Sequence, residues 1–331
     1  MSLRTADFDY HLPEERIASR PLADRAASRM MVIHRDTGVI EHRMFRDFPE
    51  YGKPNDLIVL NDTKVIPARL FSHDGKSEIL CLDRSSPTLW RCLVKPGKKM
   101  RVGATIQVAD AIGSVVEVYD NGDRLIEWDR KIDIYEHGHL ALPHYMNRED
   151  EAEDRDRYQT VYAKNEGAIA APTAGLHFTP EMLERLPHVF LTLHVGVGTF
   201  RPVKAERPEE HEMHSENYRV SAETAQAINA AGRTIAIGTT VTRVLEHLAK
   251  SAGPGERIPA GEHSGNTDIF LYPPHQYRAV DALLTNFHLP QSTLLMLVSA
   301  LASRELILEA YRQAVEQEYR FYSYGDCMLI L

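Results

Sequence analysis

TIAIGTTVTRVLEHLAK, residues 234–250, passes from one backbone rhythm to another with almost no loop between them. Thr234–Gly238 is a continuous apolar run of strand length, the pattern of a strand buried on both faces. A helix then runs from Thr240 to Lys250. A strand feeding straight into a helix is the repeating unit of layered α/β proteins. The same alternation extends outward. Val189–His194 is apolar and extended, and Ser221 caps a helix that reaches Ala231 with Gly232 as its stop. Asp268–Tyr272 and Ala282–Thr285 read as two further strands, and Ser292 caps the apolar helix that follows. Upstream, a short helix follows Leu12-Pro13, and Met30–His34 and Val39–His42 form a hairpin around Asp36-Thr37-Gly38. Leu57–Leu60 is another strand of the buried type, leaving through the polar turn Asn61-Asp62-Thr63.

From about Arg69 to Pro143 helical periodicity disappears. Glu78–Leu82, Leu89–Val94, Thr105–Val108, Ser114–Tyr119 and Leu125–Trp128 are short strand candidates separated by turn residues, which suggests a small antiparallel barrel or sandwich. The expected organisation is therefore an α/β fold of mixed α+β character. A discontinuous layered domain, residues 1–68 and 150–331 with a mainly parallel or mixed sheet, is interrupted by a β-barrel domain at 69–149. The charged stretch Arg148–Arg157 reads as a linker or solvated edge.

With 331 residues, two domains are the natural expectation. The three cysteines, Cys81, Cys92 and Cys327, show no C-x-x-C spacing, which argues against a disulfide framework or a thiolate zinc site and for a reducing compartment. The apolar stretch Thr293–Ala302 is about half the roughly 20 residues that span a bilayer, and the first residues lack the apolar core of a secretory signal. A cytoplasmic protein is expected. The net charge of −9 argues against indiscriminate coating of nucleic acid but allows a local patch. KPGKKMR supplies one at Lys95, Lys98, Lys99 and Arg101, read either as a solvated turn or as a phosphate contact.

Ligands of open α/β sheets bind beyond the carboxyl ends of strands, and the unusual residues of this chain cluster there. In HVGVGTF (194–200), Gly196 and Gly198 let the backbone approach a ligand and Thr199 offers a hydroxyl, although a lone G-x-G is equally a structural turn. The third glycine of a dinucleotide fingerprint is missing. Thr239-Thr240 at a strand-to-helix junction suits a carboxylate or a ribose. Arg243 and Glu246 follow, with an N-cap and a surface ion pair as the plainer reading. In GAIAAPTAGLHFTP (167–180) small residues surround His177, which is either a proton-transfer group or a core histidine bonded to a backbone carbonyl. HEMHSE (211–216) departs from H-E-x-x-H and no third ligand is identifiable, so no metal is expected and substrate hydrogen bonding by His214 and Glu216 is favoured. LLTNFHLPQS (283–292) ends a buried strand in Asn286, Phe287 and His288. YRFYSYGDCMLIL (319–331) sets Tyr324, Gly325 and Asp326 between strand-like pieces, where Asp326 also suits a turn cap.

Taken in order, DFDYHLPEERIASRP (7–21), DLIVLNDTKVIPARL (56–70), YQTVYAKNEGAIAAPTAGLHFT (158–179), LTLHVGVGTFRPV (191–203), HEMHSE, IAIGTT (235–240), DIFLYPP (268–274), VDALLTNFHLPQSTLLMLVSAL (280–301) and YRFYSYGDCMLI (319–330) resemble the S-adenosylmethionine:tRNA ribosyltransferase-isomerases of queuosine biosynthesis over nearly the whole chain. Val241, where that family more often has serine, and Pro273-Pro274, in place of Pro-Gly, are local departures. The resemblance implies an α/β domain interrupted by a β-barrel and a tRNA carrying 7-aminomethyl-7-deazaguanine at the wobble position. S-adenosylmethionine would be co-substrate rather than bound cofactor, with epoxyqueuosine-tRNA, adenine and methionine as products. Within that implication, His177, His214, Glu216, Arg243 and His288 are the expected catalytic set, with His177 or His214 moving the proton. Thr173, Gly175, His194, Gly196, Gly198, Thr199, Phe200, Thr239, Thr240, Asn286, Tyr324 and Asp326 are expected to bind substrate. Asn61, Asp62, Arg69, Lys95, Lys98, Lys99 and Arg101 are expected to meet the tRNA. A monomer is expected. An ordinary S-adenosylmethionine-dependent methyltransferase is disfavoured by the missing acidic G-x-G-x-G strand end. A non-catalytic RNA-binding protein is disfavoured by the net acidity and by the polar turns outside the barrel.

Overall fold

The structure, a computed structural model, describes residues 3–196, 203 and 205–331. In chain order its strands are β1 (Arg29–His34), β2 (Val39–Met44), β3 (Asp56–Asn61), β4 (Thr63–Val65), β5 (Arg69–Phe71), β6 (Glu78–Arg84), β7 (Leu89–Lys95), β8 (Thr105–Val108) and β9 (Ala111–Val118). They continue with β10 (Arg124–Trp128), β11 (Asn165–Ala168), β12 (His188–Leu193), β13 (Glu216–Val220), β14 (Arg233–Ile237), β15 (His263–Thr267), β16 (Ala282–Asn286) and β17 (Cys327–Ile330). The longer helices are α1 (Ala222–Ala230), α2 (Thr239–Ala249), α3 (Thr293–Ala302) and α4 (Arg304–Glu316).

Nine strands form one mixed sheet in the order β15-β13-β12-β3-β14-β16-β17-β1-β2. Its centre, β12-β3-β14-β16, is parallel throughout. These strands are apolar run after apolar run because both faces are covered. Alternate residues serve opposite layers: Val59, Leu191, Ala236 and Leu283 pack beneath the helices with Ile228, Val244, Leu295 and Tyr311. Ile58, Leu60, Ile235 and Leu284 face Phe45, Phe48, Phe178 and Leu183 on the other side. Each fully buried side chain of this size contributes roughly 1.5–3 kcal/mol. The second face is covered by short helical turns, Phe45–Tyr51 and Pro180–Leu183, rather than long helices.

The second sheet is antiparallel, in the order β5-β6-β7-β10-β9-β8. It curls until the His73 N–H beyond β5 donates to the Gln107 carbonyl on β8 at 2.8 Å, which nearly closes a barrel. Trp90, Trp128, Ile79 and Ile126 fill its interior. Gly113 is required there, since a Cβ would lie 2.8 Å from the Trp128 ring. Cys81 and Cys92, on consecutive strands, face each other across β6 and β7 as free buried thiols.

Three expectations need correction. Asp268–Tyr272 alternates in burial, with Ile269 and Leu271 inside, but pairs with no strand among the described residues; the neighbouring His263–Thr267 joins the sheet instead. The stretch Arg148–Arg157, expected as a linker or solvated edge, keeps most of its residues exposed but is pinned to the body at one buried point. Asp154 is 2% exposed, bound by both terminal nitrogens of Arg148 and by the Tyr324 hydroxyl. The helix after Leu12-Pro13 is a single 3-10 turn, Glu14–Arg16.

Candidate active site

The parallel strands β12, β3, β14 and β16 all deliver their carboxyl ends to one edge of the sheet, and a cavity of about 370 Å3 opens there, within the usual range for small-molecule sites. Antiparallel β13 starts at this edge with Glu216, and the Tyr322-Ser323 turn precedes β17 beside it.

The β14–α2 junction forms one wall. Gly238 adopts φ +92°, which allows the strand to turn directly into the helix, and it places Thr239 and Thr240 on the cavity. Gly238 carries no capping side chain, so among the described residues no N-cap side chain meets the first N–H groups of α2 at the positive end of the helix dipole. Ser292, Thr293 and Leu294 bring the start of α3 to the same cavity.

One turn into α2, Arg243 pairs with Glu216. The guanidinium also donates to the carbonyls of Ile269 (3.3 Å) and Thr267 (3.4 Å), while Gly196 N–H donates to Glu216 Oε1 at 3.1 Å. The pair is almost wholly desolvated, with side chains 8% and 5% exposed. Among the described lining residues Glu216 is the one acid and Arg243 the one permanent cation. The surface pairing of Arg243 with Glu246 is corrected: Glu246 is buried and accepts instead from the N–H groups of Arg278, Ala279 and Val280 and from His275.

His214 and His211 line the cavity from the segment before β13, His214 with an exposed side chain. His288 lies at its inner wall, its ring within 3.1 Å of Thr285 Oγ1, and burial lowers it to about 3. His177 does not line the cavity. It sits behind Asn286, whose Nδ2 donates to His177 Nε2 at 3.2 Å, while Nδ1 meets Ser28 Oγ at 2.9 Å. Burial, reinforced by Arg25 and Arg320, lowers His177 to about 4. The reason it misses the cavity is local: PTAGLH is a tight 3-10 turn, Thr173–His177, that presents Thr173 to the cavity and turns His177 toward Phe45.

The cavity thus brings together Thr173, His214, Glu216, Thr239, Thr240, Arg243, Asn286 and His288. Other sequence candidates have different work. Gly175 is packing, since a Cβ there would meet the Tyr162 hydroxyl at 2.1 Å. His194 bonds Thr63 Oγ1 at 2.8 Å, and burial lowers its pKa. Gly196 acts through Glu216. Tyr324 serves Asp154, and Asp326 accepts from the N–H groups of Arg29 and Arg320, both at 2.8 Å. Gly198, Thr199 and Phe200 lie outside the described residues.

Of the residues expected to meet tRNA, Asn61 is wholly buried, its amide clamping Leu193 of the next strand. Asp62 is buried against Thr192 and Asn165. Arg69 is held between Glu78 and Glu149. Lys95, Lys98, Lys99 and Arg101 are exposed on one barrel turn. Sequence reading missed Tyr145, Tyr158, Tyr322 and Ser323, which line the cavity, the Tyr145 hydroxyl 2.5 Å from Ser323 Oγ. Three tyrosines flanking segments read as linker and turn were the available signal.

Comparison with known proteins is consistent over the full chain. Residues 5–330 match the family model described as "Queuosine biosynthesis protein". An S-adenosylmethionine:tRNA ribosyltransferase-isomerase from Symbiobacterium thermophilum is 51% identical, covering 99% of this chain and 100% of that protein. One of the same name from Desulfitobacterium hafniense is 48% identical with the same coverage. A crystal structure of S-adenosylmethionine tRNA ribosyltransferase from Thermotoga maritima covers 98% of this chain and 100% of its own, with 38% identity and a TM-score of 0.56.

Proposed function

Because this chain belongs to the queuosine-biosynthesis family of S-adenosylmethionine:tRNA ribosyltransferase-isomerases, we propose that it transfers and isomerises the ribosyl part of S-adenosylmethionine onto 7-aminomethyl-7-deazaguanine in the tRNA anticodon, releasing adenine and methionine. The observation that carries the reading is the convergence of Glu216, Arg243, the α2 start and His214 on one cavity, in a chain matched from residue 5 to 330.

In this reading Glu216 lies near the sulfonium and balances its charge, with Arg243 fixing the carboxylate in place. The positive end of α2 at Thr239-Thr240 takes the methionine carboxylate. The sulfonium acidifies the C5′ protons, and the base that removes one is His214, which lies on the cavity; His177 is displaced from that role because Asn286 stands between it and the cavity. Neutral His288 hydrogen-bonds substrate. Among the described lining residues no side chain presents itself as a covalent nucleophile, so transfer occurs directly within a ternary complex. S-adenosylmethionine is consumed as a co-substrate and no tightly bound cofactor takes part.

The tRNA backbone rests on Lys95, Lys98, Lys99 and Arg101 of the barrel, residues 69–149 forming the inserted unit of a two-domain protein. A tRNA substrate and three free cysteines support a cytoplasmic setting, and no helix of the described residues is long and apolar enough to cross a membrane. The enzyme acts as a monomer. Incubating it with S-adenosylmethionine and tRNA bearing the aminomethyl base tests the reading. Adenine and methionine are expected; S-adenosylhomocysteine would make it a methyltransferase, and no donor turnover a binding protein.

A further inference from the structure

The segment DFDYHLP, residues 7–13, adds no side chain to the described lining of the cavity. Its half-buried Tyr10 touches the loop that forms the cavity wall instead. The Tyr10 hydroxyl donates to the His288 carbonyl, and the His288 N–H donates to the Tyr311 hydroxyl at 2.9 Å. These two bonds hold the peptide groups on either side of the His288 Cα. With both planes held, the direction of the Cα–Cβ bond is set, because a residue has no other soft backbone freedom than the rotations between those planes.

The clamp is rigid in its own right. Tyr311 is wholly buried on α4, meets Tyr10 edge to face at 4.9 Å between ring centres, and meets Phe287 in the same way at 5.3 Å. Burial, with the Tyr311 hydroxyl as second cause, pushes the Tyr10 phenol well above its ordinary range, so it stays protonated and donates. Two residues earlier, the Phe8 carbonyl accepts the Gln291 N–H at 2.9 Å. Gln291 lines the cavity at φ +55°, a left-handed conformation that persists only where its surroundings hold it. Residues 8–10 therefore secure both ends of the cavity-lining loop His288-Leu289-Pro290-Gln291. On the His288 ring, Nε2 lies 3.1 Å from Thr285 Oγ1, while Nδ1 has no partner among the described residues and is not sealed from water.

We propose that Tyr10 is a positioning residue: through the His288 backbone it aims the imidazole so that Nδ1 hydrogen-bonds substrate in the cavity. The inference rests on the reading that His288 hydrogen-bonds substrate there.

Single-turnover rates and the KM of each substrate are measured for the native protein, Tyr10→Phe, His288→Ala and the double variant. Phenylalanine keeps the ring and loses only the hydroxyl. Alanine at 288 keeps the N–H and C=O groups that the tyrosines hold, so any support Tyr10 gives to the fold survives in that background, whereas aiming of the imidazole does not. Tyr10→Phe should worsen the same parameter that His288→Ala worsens, by roughly fivefold to tenfold, the scale of one buried carbonyl left without its donor. Added to His288→Ala, it should cost less than about twofold more, since two changes that act through one group do not add.

A Tyr10→Phe enzyme within about twofold of native overturns the role, as does a Tyr10→Phe loss that persists in full beside His288→Ala. His288→Ala within about twofold of native also overturns it, because nothing is then aimed. Should Tyr10→Phe fail to fold, Tyr311→Phe, which removes the other half of the clamp, decides by the same criteria with and without His288→Ala. If the native protein turns over no S-adenosylmethionine with tRNA bearing the aminomethyl base, it is the proposed function that fails.

Discussion

Replacing Arg243 by methionine strands a charge inside the cavity wall. Methionine keeps much of the side-chain volume, but the ion pair with Glu216 and the bonds to the Thr267 and Ile269 carbonyls disappear. Glu216, its side chain 5% exposed, then retains the Gly196 N–H as its recorded donor. Removing one partner of a buried pair costs about 3–5 kcal/mol, because the surviving charge is left uncompensated. An unfolding entropy of about 2.1 cal/mol/K per residue gives about 0.7 kcal/mol per degree for 331 residues. The melting temperature should therefore fall by about 4–7 °C if the chain unfolds as one unit. Adding Glu216→Gln removes the stranded charge and should recover part of that loss. Scanning calorimetry on the parent, both single variants and the double variant measures the coupling directly. A double variant that equals the sum of the singles within about 0.5 kcal/mol would refute the reasoning.

Three further outcomes follow from the same geometry. His177 and His288 are depressed to about 4 and about 3 in the folded protein, whereas the unfolded chain takes up protons below about pH 6.5. Their contribution to stability is thus complete above pH 6.5 and falls as the pH drops toward 4 and 3, by about 1.4 kcal/mol per unit for each histidine; urea titrations of His288→Gln should show a flatter acid slope than the parent, and an identical slope would contradict the neutral assignment. Replacing Lys95, Lys98, Lys99 and Arg101 by alanine should reduce the slope of log affinity for tRNA against log salt by up to about 0.7–0.9 per lost phosphate contact, with S-adenosylmethionine binding unchanged; an unaltered slope places the tRNA elsewhere. Glu246→Leu leaves the Ala279 and Val280 N–H groups buried without their acceptor, a loss of about 1–3 kcal/mol each, and hydrogen exchange should quicken across residues 278–280; native protection there would show that the carboxylate is dispensable.

The central strands were legible because burial on both faces writes itself as a continuous apolar run, as in Leu57–Leu60 and Ala282–Thr285. Strand β15 was not, since HSGNT is a polar edge bonded on one side only, and the adjacent DIFLY carries the alternation without a ladder. Arg148 and Asp154 looked solvated because charge in sequence says nothing of partners, and Asp154 finds one of its own 170 residues away in Tyr324. The cavity's membership followed from strand ends, which sequence locates well. Which way a histidine turns from such an end depends on packing: His288 reaches the cavity and His177 backs its wall, though each directly follows a large apolar residue, Phe287 and Leu176. Glu216 and Arg243 were found as candidates, but their union across 27 residues of chain was visible only in space.

Strand β17 lies between β16 and β1 in the interior of the sheet, paired antiparallel to one and parallel to the other. Cys327 and Arg29, neighbours there, stand 298 residues apart in the chain. During synthesis the β1–β2 hairpin is therefore made early and its sheet position completed very late, so Met30 and Val32 wait through nearly the whole of translation without the strand that covers their edge. A chain halted before Cys327 consists of a six-stranded raft and a detached hairpin, each with an open apolar edge. Such a product is a substrate for chaperones and proteases rather than a partly active enzyme, and the cell's dose of this activity depends on ribosomes finishing the message.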